Sequence, residues 1–178
     1  LLNVRINRII DMEKRYCVKK MEGFRLLVTD CGVAIGYSPE SGVQIIERDG
    51  LPFKDFIGSG ELLPYEDWRL PAEVRAADLA SRLSIEEIAG LMLYSPQNWL
   101  PMPGDTYGGR PFAESGMKPW DLSDSQLKFR TADNVRHVLV GKVESPGTAA
   151  RWNNRVQALC EGRGHGVPSN NFSEQRHY

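Results

Sequence analysis

Asp55 and Glu66 stand at the first and twelfth positions of one segment, with Ser59 at the fifth and Gly60 at the sixth. That spacing resembles an EF-hand calcium loop, in which oxygen donors at set positions surround a hard cation and a glycine makes the sharp turn. Ile57 and Leu63 fill the third and ninth positions, so two of the usual donors, of about six or seven, are gone. The expectation is a weak calcium site built from Asp55, Ser59, the Glu61 carbonyl and Glu66, with a plain turn as the alternative. Cys17, Cys31 and Cys160 are odd in number and widely spaced, which argues against a disulfide framework or a zinc site. His137 lies within an apolar run and reads as a packed core histidine, while His165, between glycines near a helix end, suits the helix dipole.

These residues need a scaffold, and 178 residues with 41% apolar content are enough to bury one core. With 22 Lys and Arg against 23 Asp and Glu, the chain lacks the basic footprint of a nucleic-acid or membrane-surface binder. No stretch reaches the roughly 18 uninterrupted apolar residues of a membrane span. Residues 1–41 read as a poorly defined, basic N-terminal arm, ill-ordered or in a short helix. Their basic start and the apolar run from Leu26 to Ile35 faintly resemble a signal peptide, but Asp30 interrupts the run.

From residue 42 the pattern sharpens. Val43, Ile45 and Ile46 pass through Asp49-Gly50 into Leu51 and Phe53, a hairpin signal. A Pro-punctuated connector, Pro64 to Pro71, leads to a helix with Val74, Ala77, Leu79 and Leu83 on one face. Ser84 and Glu87 form a capping box for a second helix, expected to bury Ile85, Ile88, Ala89 and Met92. The proline- and glycine-rich stretch from Ser95 to Lys118 reads as a long irregular loop. Ser123 and Gln126 repeat the capping box for a short helix. Val135 to Val140 reads as a strand, Pro146 to Glu161 as a helix with N-cap Ser145, and Gly166 to Asn171 as a strand. Strand, helix and strand in this order make a βαβ unit with parallel strands. A parallel sheet begun so late predicts a piece of a larger α/β protein, prone to self-association along its open edge.

Several strings together resemble the N-terminal part of glycoside hydrolase family 3, the β-glucosidase and β-xylosidase family. They are Gly42 to Gly50, Pro64 to Pro71, Leu83 to Met92, Asn134 to Val140, Ala150 to Leu159 and Gly166 to His177. The resemblance implies an α/β fold that begins a (β/α)8 TIM-like barrel and is incomplete here. Residues 42–83 would be the family-type hairpin and linker helix, and 84–178 the first part of the barrel. It also implies a retaining hydrolysis of terminal β-D-glucosyl or xylosyl residues, which needs two carboxyl groups about 5 to 5.5 Å apart. By resemblance the nucleophile lies on a later strand and the acid/base beyond it, so no catalytic residue is expected in this chain, which alone would be inactive. Asp67-Trp68 superficially matches the nucleophile string, but it precedes the barrel, whose active residues sit at the C-terminal ends of strands.

Substrate contact is expected from Glu174, Arg176 and His177. The family string reads roughly Ser-Asp-Pro-Arg-His, and its aspartate bonds hydroxyls of the sugar; Glu174 and Gln175 depart from it. The extra methylene pushes the carboxylate about 1.3 to 1.5 Å further on, and loss of the proline loosens the turn. Trp99, Tyr107 and Trp120 would either stack on sugar rings or pack, with packing favoured. No cofactor is expected beyond the weak calcium site. The partner of a full-length parent would be a β-linked glucoside or xyloside, with no nucleic acid and no membrane. The resemblance is compatible with an extracytoplasmic location. The competing expectation is a small calcium-dependent interaction module around Asp55 to Glu66.

Overall fold

The computed structural model describes residues 14–97, 101–142 and 144–172. The chain opens with three antiparallel strands, β1 (Tyr16–Lys20), β2 (Arg25–Thr29) and β3 (Ala34–Tyr37), in the order β1-β2-β3. This corrects the expectation of an unformed or helical arm for the described part of residues 1–41. Short runs rich in aromatic and β-branched residues alternate with turns at Gly23 and Gly32, whose φ of 78° and 85° only glycine adopts freely. The apolar run from Leu26 to Ile35 is the β2–β3 hairpin.

Next come β4 (Gln44–Arg48) and β5 (Leu51–Asp55), paired antiparallel across Asp49-Gly50. Both turn residues have positive φ, 56° and 74°, as a two-residue hairpin turn demands. Phe53 is fully buried and stacks on Trp68 at 5.3 Å, and the Trp68 indole donates to the Pro52 carbonyl at 2.9 Å. The connector is thereby folded back onto the hairpin.

Helix α1 (Ala72–Arg82) follows Pro71, which serves as its N-cap rather than its first turn. Helix α2 (Ile85–Met92) begins at the expected capping box of Ser84 and Glu87. The expected burial of α2 is corrected, because Ile85 and Met92 are each 81% exposed and Ile88 40%. Only Gly90 is buried; it sits against the backbone at Asp133 and Asn134, where a Cβ would clash.

A second correction concerns the long loop, which opens with a strand, β6 (Tyr94–Gln97), running parallel to β9 (His137–Val140). Pro96 hid it, yet β6 is a sheet edge, where a missing N–H costs no ladder bond. The stretch from residue 101 holds the two-residue strands β7 (Thr106–Tyr107) and β8 (Arg110–Pro111) and a single turn, α3 (Phe112–Ser115). Asp124 accepts from Gly108 N, Gly109 N and Thr106 Oγ1, which pins this hairpin to the start of α4 (Asp124–Thr131).

Helix α5 (Pro146–Glu161) has N-cap Ser145 and proline in its first turn, as read from the sequence. β10 (Asn170–Phe172) then pairs parallel to β9, so the βαβ unit forms, with Pro168 outside the strand. The sheet order is β10-β9-β6: three parallel strands, adjacent in chain order. The core lies between this sheet and α5, where Val138 and Val140 meet Trp152, Val156 and Cys160 with Leu122. Among the described residues, no helix is long and apolar enough to cross a membrane.

Candidate functional site

Side chains alternate across a strand, so the parallel sheet has two unlike faces. On the helix-covered face, beside the apolar core, lies a polar lattice organised by Arg130 of α4, which is 1% exposed. Its Nη1 donates to the Val135 carbonyl at 3.2 Å and Ser169 Oγ at 2.7 Å. Its Nη2 donates to Gln97 Oε1 at 3.1 Å and Asn171 Oδ1 at 3.2 Å. One guanidinium therefore touches β6, the entry to β9, and β10. Its Nε has no hydrogen-bond partner among the described residues. Removal from water pulls this guanidinium down to about 10, and the like charge of Arg136 acts in the same direction. Arg136, also buried, donates to the Val167 carbonyl at 2.9 Å and the Arg130 carbonyl at 2.8 Å.

The start of β10 is clamped from α5 as well. Gln157 donates to the Ser169 carbonyl at 2.7 Å and accepts from Ser169 N at 3.1 Å, while Asn171 Nδ2 donates to Asn153 Oδ1 at 2.8 Å. Ser169 Oγ lies 2.7 Å from Asn171 Oδ1 and 3.1 Å from the Arg136 carbonyl, sharing one proton between them. Buried polar groups this fully engaged fix the strand's register. Sequence reading missed this lattice, since Arg130 sits in a short, mostly polar helix that looks solvent-facing.

The opposite face carries Tyr94, His137, Leu139, Asn170 and Phe172. Tyr94 and Phe172, on the two outer strands, stack at 5.1 Å with 17° between planes, and the Asn170 amide lies 3.3 Å from His137 Nδ1. His137 is thus on the open face rather than in the core. This face offers ring surfaces, an amide and an imidazole, groups that stack on and hydrogen-bond a polyhydroxylated ring. None of the three strands carries a carboxylate within its described span. Glu174, Arg176 and His177, expected to contact substrate, follow β10 but lie outside the described residues, as does Trp99.

The expected calcium ligands are employed otherwise. Asp55 and Glu66 are buried, and all four carboxylate oxygens accept backbone N–H groups. Asp55 takes Ser59 N at 3.0 Å and Gly60 N at 2.7 Å; Glu66 takes Phe56 N at 2.8 Å and Leu63 N at 3.2 Å. The Ser59 hydroxyl donates to the Glu61 carbonyl at 3.2 Å. Among the described residues no group of three or more His, Cys, Asp or Glu is placed to hold a metal ion. The EF-like spacing is real, and in this arrangement its carboxylates cap the turn from inside.

Asp67 is held by a two-pronged bond to Arg69, at 2.9 Å and 2.8 Å, far in chain terms from the strand ends. Tyr107 is buried against Phe112 and Trp120 packs on the core, as the packing expectation has it. His165, just past the end of α5, has its Nδ1 3.2 Å from Glu87 Oε1, linking the turn before β10 to the start of α2.

No family model matches the chain. The chain is 36% identical over 129 residues to a periplasmic beta-glucosidase/beta-xylosidase of Dickeya chrysanthemi, across 71% of this chain and 18% of that protein. The similarity supports a relation to a glycosidase, and the chain spans under a fifth of that relative's length.

Proposed function

We propose that the chain is the opening section of the barrel domain of a retaining β-glycosidase of glycoside hydrolase family 3. The parent reaction would be hydrolysis of terminal β-linked glucose or xylose. The observation that carries the reading is β10: a strand locked from behind by Arg130, Asn153 and Gln157, leading directly into Ser173 to His177. Three adjacent parallel strands in chain order, with helix α5 packed on one face, agree with the start of a barrel, and barrel sites lie beyond the C-terminal strand ends. The similarity to a beta-glucosidase/beta-xylosidase supports the substrate class.

In this reading Glu174 accepts sugar hydroxyl protons, Arg176 and His177 flank it, and Tyr94 and Phe172 offer ring faces nearby. The nucleophile and the acid/base would come from later strands, so this section binds and orients and does not itself break the glycosidic bond. Two measurements on the purified chain test the proposal. It should release no aglycone from chromogenic β-glucosides or β-xylosides. Methyl β-D-xyloside should shift the NMR signals of Asn170 to His177, and Glu174→Ala should abolish those shifts. Turnover by the pure chain, or shifts indifferent to Glu174, would sink the reading.

A further inference from the structure

We propose that the cleft between the first antiparallel sheet and α5 is a second saccharide-binding site, separate from the strand ends that lead to Glu174. Its floor includes Gly166, Val167 and Pro168, the turn that enters β10. That turn precedes the strand, so the cleft opens at the N-terminal ends of the parallel strands. Its volume of about 980 Å³ lies within the range of small-molecule sites.

The lining is aromatic and polar together, which separates it from an unfinished apolar face. Phe24 and Tyr37 come from the first sheet, Phe56 and Tyr65 from the hairpin and its connector, and Trp120 from the segment before α4. Lys54 pairs with Glu161, and Arg155 pairs with Glu40 at 3.0 Å, so the wall charge left over is that of Arg75 and Arg151 against Glu22. That leaves planar donors and acceptors. The Arg151 guanidinium lies over the Trp120 ring at 4.8 Å, the exposed Asn154 amide has no partner among the described residues, and Arg75 uses only its Nε, on the Tyr65 carbonyl at 3.2 Å. The Tyr65 hydroxyl is buried, and burial raises the phenol's pKa, the neighbouring Glu66 carboxylate adding to it.

The exposed Phe24 ring and the half-buried rings of Tyr37 and Phe56, next to a forked guanidinium and a free amide, match a pyranose and its vicinal hydroxyls. The lining sets Lys54, Arg75, Arg151 and Arg155 against Glu22, Glu40 and Glu161, a surplus of one positive charge, which favours a neutral polar ligand over a doubly charged anion. The choice of saccharide over other neutral polar ligands rests on the glycosidase reading.

The test is an NMR titration of the whole labelled chain with xylobiose and, separately, with inorganic phosphate. Xylobiose should move the Trp120 indole N–H and the Asn154 side-chain amide saturably, with a Kd on the order of 1 mM. Phosphate should leave both in place. Asn154→Ala, at an exposed position that should not disturb folding, should weaken xylobiose binding about 3- to 10-fold, the worth of one hydrogen bond. Glu174→Ala should leave the cleft signals unchanged. Shifts confined to Phe172 to Tyr178 would overturn the second site while leaving the glycosidase reading intact. Saturable phosphate binding without xylobiose binding, or no cleft shifts at all, would overturn it equally.

Discussion

Two regions of this chain bury ionised side chains, and they do so with opposite charge and opposite reach. Between residues 44 and 69 the buried groups are carboxylates with partners close in sequence. Asp55 takes the N–H groups of Ser59 and Gly60, Glu66 those of Leu63 and Phe56, and Asp67 the guanidinium of Arg69. Between residues 94 and 172 the buried groups are guanidiniums which, besides nearby carbonyls, hold partners far away in sequence. Arg130 reaches Gln97 at 33 residues' separation, Ser169 at 39 and Asn171 at 41. The first kind of staple closes short loops and can form with the hairpin itself. The second exists only once three strands and two helices have met, so its loop-closure cost falls on the assembled sheet. A turn stabilised locally tolerates change around it, whereas the strand that leads to Glu174 depends on the whole second region.

The largest effect expected comes from the seam between the regions. A Cβ at Gly162, the C-cap of α5, would fall on the backbone carbonyl of Ser41, with no flexible side chain available to yield. The same seam holds the Lys54–Glu161 and Arg155–Glu40 pairs. Gly162→Ala should cost at least about 3 kcal/mol in urea unfolding, at the upper end for overpacking because backbone must move. Gly147→Ala, inside α5 with only ordinary contacts, should be neutral or slightly stabilising. A Gly162→Ala variant with the wild-type midpoint would mean that the two regions are not docked as described.

Second in size is Arg130→Met, which separates the two kinds of staple. It removes a costly buried charge but leaves four acceptors, on Gln97, Val135, Ser169 and Asn171, without their donor. Each buried unsatisfied group costs about 1–3 kcal/mol, partly relieved by local relaxation and by losing the charge, so a net loss of about 2–4 kcal/mol is expected. Hydrogen exchange should show the loss at β9 and β10, with the β4–β5 amides keeping their relative protection. Uniform loss across both regions would contradict the contrast.

The same contrast explains what could be read from sequence. Asp49-Gly50, the capping boxes at Ser84 and Ser123, and the Ser145-Pro146 start of α5 are local signals whose physics is complete within a few residues, and the structure has them. β6 was hidden by Pro96, because only its place at the sheet edge makes a proline acceptable there. The stripe of Ile85, Ile88 and Met92 announces an apolar face but cannot say whether a neighbour covers it within the described residues. The carboxylate spacing of Asp55 and Glu66 was legible too. Its chemistry was not, since a turn starved of partners for its N–H groups and a calcium loop both call for acidic residues at these positions. Arg130 gave no signal, its partners being spread over two other segments. Of the candidate site, the βαβ frame behind β10 was readable, whereas the open face of Tyr94 and Phe172 required β6 to be known first.

The smallest effect is one of pH, and it bears on the carboxylate region alone. The two-pronged bond from Arg69 holds the Asp67 carboxyl below the usual aspartate range, against the opposing pull of burial. A carboxylate whose folded pKa is depressed contributes stability that is fully present above the unfolded value, about 3.9, and is lost as pH falls through the lower folded value. Arg69 is 36% exposed, which limits the contribution to about 1 kcal/mol. Arg130 behaves in the opposite sense. Burial holds its folded value below that of a free guanidinium, so it penalises the folded state, and equally at pH 7 and pH 3, where it is fully protonated. Lowering pH from 7 to 3 therefore leaves the contribution of Arg130 unchanged and weakens that of Asp67. Urea midpoints measured at both pH values for wild type and Asp67→Asn should lie closer together at the lower one, because protonation begins to remove the charge that the amide lacks. Midpoints that stay equally far apart at both would show that Asp67 acts through packing, and that the Arg69 fork adds no charge-dependent stability.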